Sequence, residues 1–200
     1  MPFPERLAIA SKNPHKLREL GRICADWPVE WVTVGNHESP WPDVEEPHET
    51  YLENAADKAR AVASALGIPA IADDSGLEVE GLDGGPGARS ARFAGNAASD
   101  EENLAKLISV VEGLSPEGRR ARYVCLAVIA DPGDRMSYAS GVCEGSLVMG
   151  RRGERGFGYD PIFVPDEVPG RTMAELADVE KDRISHRGHA FRALRDLISA

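Results

Sequence analysis

Cysteine is scarce. Three residues, Cys24, Cys125 and Cys143, among 200 are too few for a disulfide framework, and none forms a metal-binding doublet. Each has apolar neighbours and reads as a small buried hydrophobe in a reducing compartment. Basic residues are outnumbered. Lys and Arg total 23 against 33 Asp and Glu, a formal net charge of -10, which argues against a general nucleic-acid or anionic-membrane binder. An anionic small molecule stays possible, because local charge can oppose the net charge. Long apolar runs are missing, so no membrane span is expected. Residues 1–6 have no basic region followed by an apolar run, so no signal peptide is expected, and cytoplasm is the default location. What remains is an ordinary soluble composition, 42% hydrophobic and 28% charged over 200 residues, which predicts a single globular domain spanning residues 1–200.

Strand and helix patterns alternate along the chain. Residues 7–10 read as a strand that runs into a helix carrying Leu17, Leu20 and Cys24 on one face, capped by Asn13 with Pro14 in its first turn. A strand at 31–34 and a proline- and acid-rich loop at 35–49 precede a helix over 50–66, ended by Gly67 and Pro69. In that helix Thr50, Asn54 and Lys58 stack along one polar edge. A short apolar strand, 70–72, stops at Asp73, Asp74, Ser75 and Gly76, and a glycine-rich stretch follows to Gly95. Ser99 and Glu102 form a capping box that opens a helix with Leu104, Leu107, Ile108 and Val111 inward. Residues 123–130 and 136–147 form a hairpin about an Asp-Pro-Gly-Asp turn. The last helix follows Ser185, with Phe191, Leu194 and Ile198 inward. The pattern is an α/β domain with a mixed sheet, in which ligand sites favour the loops at strand ends.

Four stretches carry chemistry. Asp73 and Asp74 end a buried strand in paired carboxylates, which repel unless a metal or cationic ligand relieves them; the alternative is an acidic turn. With Glu45 and Glu46 they form a hard-oxygen set suited to Mg²⁺, unless the glutamates belong to a solvated loop. The polar turn Ser11, Lys12, Asn13, Pro14, His15 and Lys16 enters a helix N-terminus, where an anion is favoured, though a well-capped helix with solvated lysines gives the same pattern. Phe157, Gly158, Tyr159 and Asp160 offer aromatic faces and an acid to a flat base, or are core residues of a strand. Lys181, His186 and Arg187 bring cations to a helix start, where the dipole disfavours them unless an anionic ligand is present.

In this order the motifs Ser-x-Asn-x-x-Lys, Asp-Asp-Ser-Gly-Leu, Phe-Gly-Tyr-Asp-Pro and Ser-His-Arg resemble the inosine/xanthosine triphosphate pyrophosphatases, from Leu7 to about Leu197. The resemblance implies hydrolysis of aberrant purine nucleoside triphosphates (dITP, ITP, XTP) to the monophosphate and pyrophosphate. It implies an elongated mixed sheet flanked by helices, two lobes with a substrate cleft, a homodimer and Mg²⁺. Carried over by position, residues 11–16 hold substrate, with Asn13 and Lys16 nearest the phosphates. Glu46 and Asp74 hold the metal, and Asp74 is the general base. Lys58 reaches the triphosphate and Ser75 contacts substrate. Phe157, Gly158, Tyr159, Asp160, Lys181, His186 and Arg187 recognise the nucleotide, largely its base. One departure stands out: Pro47-His48 replaces a glycine usual after the paired glutamates. A pyrophosphatase for other modified nucleotides and a non-catalytic nucleotide-binding module are the alternative functions.

Overall fold

The computed structural model describes residues 3–37 and 40–199; positions 38 and 39 of the expected 35–49 loop, and the first two of the N-terminal residues, lie outside them. The elements in chain order are β1 (Arg6–Ile9), α1 (Pro14–Ile23), β2 (Glu30–Val32), α2 (Tyr51–Leu66), β3 (Ala70–Val79), β4 (Pro86–Gly87), α3 (Asp100–Val111), β5 (Arg120–Ala130), β6 (Met136–Leu147), β7 (Phe163–Pro165), α4 (Asp178–Ile184) and α5 (His186–Ser199). The sheet runs β2-β1-β3-β5-β6-β7, with β4 paired to β3. It is mixed as expected: β1 is parallel to β2 and β3, while β3–β4 and β6–β7 are antiparallel. Helical crossovers join the parallel strands, and a tight turn suffices between β5 and β6. There the Asp131 carboxylate accepts from Gly133 N–H at 2.9 Å and Arg135 N–H at 3.0 Å.

The chain divides into two compact units. The first comprises Met1–Asp74, Cys125–Gly141 and Arg187–Ala200, the second Ser75–Val124 and Val142–His186. In the first, side chains alternate across the strands. Leu7, Ile9 and Ile71 pack with Leu20, Cys24, Trp27, Phe191 and Leu194. Ala8, Ala10, Ala70 and Ala72 meet Ala55, Ala59 and Val62 of α2 on the other face. Small residues on both partners bring α2 close to the strands that carry the acids. In the second unit Leu77, Val79, Leu104, Leu107, Tyr123, Leu147, Phe163 and Met173 form the core.

One strand differs from the sequence reading. β3 does not stop at residue 72 but continues through Asp73 and Asp74 to Val79. The acids are accommodated because cations and an amide receive them, as described below. The three cysteines are buried free thiols. Thr172 and Glu175 form a capping box, but it opens only a single 3₁₀ turn, and α4 begins later.

Candidate active site

Two clusters form, one within each unit. In the first, Asp73 and Asp74 leave β3 with side chains almost fully buried and enter different surroundings. Asp73 Oδ2 accepts from Arg187 Nε at 3.2 Å and Nη2 at 3.0 Å, and pairs with Lys16 at 3.1 Å. Arg187 also donates from Nη1 to Glu19 on α1 at 2.5 Å. Two carboxylates, Asp73 and Glu19, thus meet two cations, Arg187 and Lys16. Burial alone would lower the affinity of Arg187 for its proton, but Asp73 and Glu19 more than offset this and raise it.

Asp74 has a different set. Its Oδ2 accepts from the Asn54 amide at 3.0 Å, and its Oδ1 lies 3.8 Å from Lys58. Lys58 bonds Glu46 more closely, at 2.7 Å. Two carboxylates therefore share one ammonium. Burial holds the Asp74 carboxyl above the ordinary carboxylate range, against the pull of Lys58 and Lys16. For Glu46 burial also acts upward, but the close Lys58 outweighs it and the carboxyl lies below its usual range. Asn54 and Lys58 both reach Asp74 because four residues separate them, so they share a helix face.

The 11–16 turn is built as a cap. Asn13 Oδ1 accepts from His15 N–H at 2.8 Å and Lys16 N–H at 3.2 Å, with Pro14 in the first turn. Those amides are thus occupied by the cap, and the charge this stretch offers an anion comes from its lysines. Ser11 Oγ accepts from Asn13 N–H at 3.2 Å, Lys12 pairs with exposed Asp43 at 3.1 Å, and the His15 ring contacts Arg18 at 3.0 Å. Ser75, on β3, is half-buried.

The second cluster centres on Asp160, whose two oxygens accept from Lys181 Nζ at 2.5 Å, Phe157 N–H at 2.9 Å and Tyr123 Oη–H at 3.3 Å. Lys181 also lies 5.1 Å from the Phe157 ring centroid, a cation–π distance. Tyr123 stacks on His186, centroids 4.6 Å apart and planes 9° from parallel. Tyr159 is buried and donates from its hydroxyl to the Ser90 carbonyl at 2.8 Å; burial raises its pKa. Gly158 N–H donates to Asp100 at 3.3 Å. Half-buried Phe157 is the more accessible of the two loop aromatics. Lys181 lies in the last turn of α4, where the helix dipole favours a cation, so it does not stand against the dipole as the sequence suggested. Arg187 in the first turn of α5 does, and its carboxylate partners compensate.

Gly156 precedes this loop at φ +73°, and a Cβ there would lie 2.0 Å from Asp160 Oδ2. Gly156→Ala is expected to displace the Asp160 carboxylate from Lys181 and Phe157 N–H and to destabilise the protein by about 2 kcal/mol. An unchanged urea midpoint would refute the tight fit.

Glu19, Asn54 and Tyr123 were not singled out as site residues from the sequence. Signals existed for each. Glu19 is an acid on the buried side of α1, beside Leu20. Asn54 is the amide amid the alanines of α2. Tyr123 is an aromatic with a polar tip in an otherwise apolar strand.

The Ham1 family model matches residues 7–197. The chain is 43% identical to a dITP/XTP pyrophosphatase of an Anaeromyxobacter species, with 96% of each chain covered. It is 46% identical to a dITP/XTP pyrophosphatase of Cutibacterium acnes, with 98% of this chain and 97% of the relative covered. A solved HAM1 protein from Coxiella burnetii superposes with a TM-score of 0.84 at 37% identity, over 98% of this chain and 99% of the other. Likeness over nearly the whole length, in sequence and in fold, bears out the family the four motifs resembled: this chain belongs to the Ham1 family.

Proposed function

We propose that this protein hydrolyses aberrant purine nucleoside triphosphates (dITP, ITP and XTP) to the monophosphate and pyrophosphate, with Mg²⁺. Its membership of a family whose relatives bear the name dITP/XTP pyrophosphatase supports the reaction class. The structural observation that carries the reading is the unequal treatment of two adjacent acids. Asp73 bonds a guanidinium and an ammonium at close range, whereas Asp74 lies 3.8 Å from Lys58, whose closer bond is to Glu46.

Asp74 and Glu46, two hard-oxygen groups on either side of one lysine, suit a divalent cation. Among the described residues no three His, Cys, Asp or Glu side chains come together as a ready metal cage. Two carboxylates are nonetheless a usual protein contribution to a Mg²⁺ that takes its other oxygens from water and substrate phosphates. Glu46 and Asp74 would hold the ion, which supplies charge neutralisation on the triphosphate. In this reading Lys16 and Lys58 bind phosphate oxygens, with residues 11–15 and Ser75 around them. Asp74 orients or deprotonates the water that attacks the α-phosphorus in line with the departing pyrophosphate. In the second unit, Phe157 stacks on the base, and Asp160 holds Lys181 and the loop backbone in place for it. Homodimer and cytoplasm complete the reading, and the buried free thiols suit a reducing compartment.

Phe157→Ala is expected to raise KM for ITP about tenfold through lost stacking, with a smaller change in kcat. An unchanged KM would move base recognition elsewhere. The bond cleaved is tested by hydrolysing ITP with Mg²⁺ in ¹⁸O-labelled water. Label in the monophosphate and none in pyrophosphate is expected; label in pyrophosphate, or in released inorganic phosphate, would contradict attack at the α-phosphorus.

A further inference from the structure

We propose that Asn54 is a positioning residue that ties the Glu46 segment to Asp74 and so assembles the two carboxylates into one cation site. The proposal rests on the reading of Glu46 and Asp74 as cation ligands.

Asn54 lies in α2 with no exposed surface. Its amide has one acceptor oxygen and two N–H donors, and three bonds are formed. Oδ1 accepts from His48 N–H at 3.1 Å, while Nδ2 donates to the His48 carbonyl at 3.1 Å and to Asp74 Oδ2 at 3.0 Å. A carbonyl and a carboxylate both require donors, so the amide has one orientation. It grips His48 by both backbone groups, as a paired strand would.

The grip matters because residues 40–48 contain no helix or strand. Glu46, two residues before His48, sits on that irregular segment. It is fixed by Lys58 from one side and, through His48, by Asn54 from the other. Both anchors project from α2, a 16-residue helix. The same amide holds one oxygen of Asp74 while the other faces Lys58. A single buried side chain therefore sets the relation between two carboxylates from segments 28 positions apart in sequence (74 minus 46). No other neutral side chain but glutamine has these donors and this acceptor, and glutamine is a methylene longer. Aspartate would place a third carboxylate against Asp74.

The bonds to residue 48 are made by its backbone. The His48 ring points instead to Asp57, 2.8 Å away. The Pro47-His48 departure is thus absorbed: a side chain at 48 leaves the Asn54 grip intact.

The test uses the full chain without nucleotide. Mg²⁺ is titrated against the melting temperature, which a bound ion raises by linkage, and ITP turnover is then measured against Mg²⁺ concentration. Asn54→Ala is expected to need about 10- to 100-fold more Mg²⁺ in both measurements, the usual consequence of losing a residue that orients a metal ligand. KM for ITP at saturating Mg²⁺ should change much less. His48→Ala should match the wild type within about twofold. Should Asn54→Ala not fold, Asn54→Ser, which retains a hydroxyl, carries the comparison. Unchanged Mg²⁺ requirements for the Asn54 variant, or an equal loss for His48→Ala, would overturn the proposal. Failure of the wild type to respond to Mg²⁺ would instead overturn the ligand assignment beneath it.

Discussion

Asp74→Asn is expected to lower pyrophosphate release from ITP by about a thousandfold, within the range for removal of a general base, while ITP still binds. The substitution is nearly isosteric. The Asn54 amide keeps an oxygen to donate to, so the 3.0 Å contact survives and the fold should hold. What disappears is the charge. A divalent cation then keeps only one of its two proposed carboxylate ligands, Glu46. Groups assigned to the phosphates, Lys16 and Lys58, remain, as does the Phe157 loop. Pyrophosphate release and the ITP dissociation constant, measured by equilibrium dialysis, separate chemistry from binding. Turnover near the wild-type rate would remove Asp74 from its proposed role.

Arg187→Ala is expected to act first on stability. The guanidinium is 2% exposed and bonds Asp73 and Glu19 with three of its nitrogens. Its removal takes the guanidinium donors away from two buried carboxylates, Asp73 and Glu19. Breaking a buried pair from one side costs about 3–5 kcal/mol, which in a chain of this size lowers the melting temperature by about 10 °C. Arg187→Lys should lose less, because it keeps the charge while lacking the planar fork that spans two carboxylates. Thermal denaturation of both variants reads this directly. If Arg187→Ala melts within about 2 °C of the wild type, the guanidinium is not bound to its network, and the base-recognition role implied by the resemblance gains ground.

The alternation of strands and helices was legible because it depends on local periodicity and caps. The 50–66 helix was marked by its C-terminal glycine, which acts as the cap at φ 68°, whereas Thr50, placed within the helix by its spacing, is the N-cap. The hairpin after residue 123 was marked by its turn residues. The end of β3 was misplaced for a physical reason. Two adjacent acids look like a terminus when their partners are out of view, and the partners lie far off in sequence: Arg187 is 114 residues from Asp73 and Lys16 is 57. The site was legible as motifs in order, but not in how charge is divided within it. Asp73 and Asp74 look alike on the chain, and only the packing gives one of them two cations and leaves the other sharing a lysine. Glu19, Asn54 and Tyr123 act through other side chains, so their neighbourhoods mark them as polar groups among apolar residues without naming the partner that gives each its role.

Release of pyrophosphate from deaminated purine nucleotides is read by incubating a panel of ITP, dITP, XTP, GTP and ATP with the full-length protein and Mg²⁺, with pyrophosphate and inorganic phosphate quantified separately. Pyrophosphate from ITP, dITP and XTP, with GTP and ATP at least about tenfold slower, is the predicted result. No release from any of the five, or equal rates across them, would contradict it.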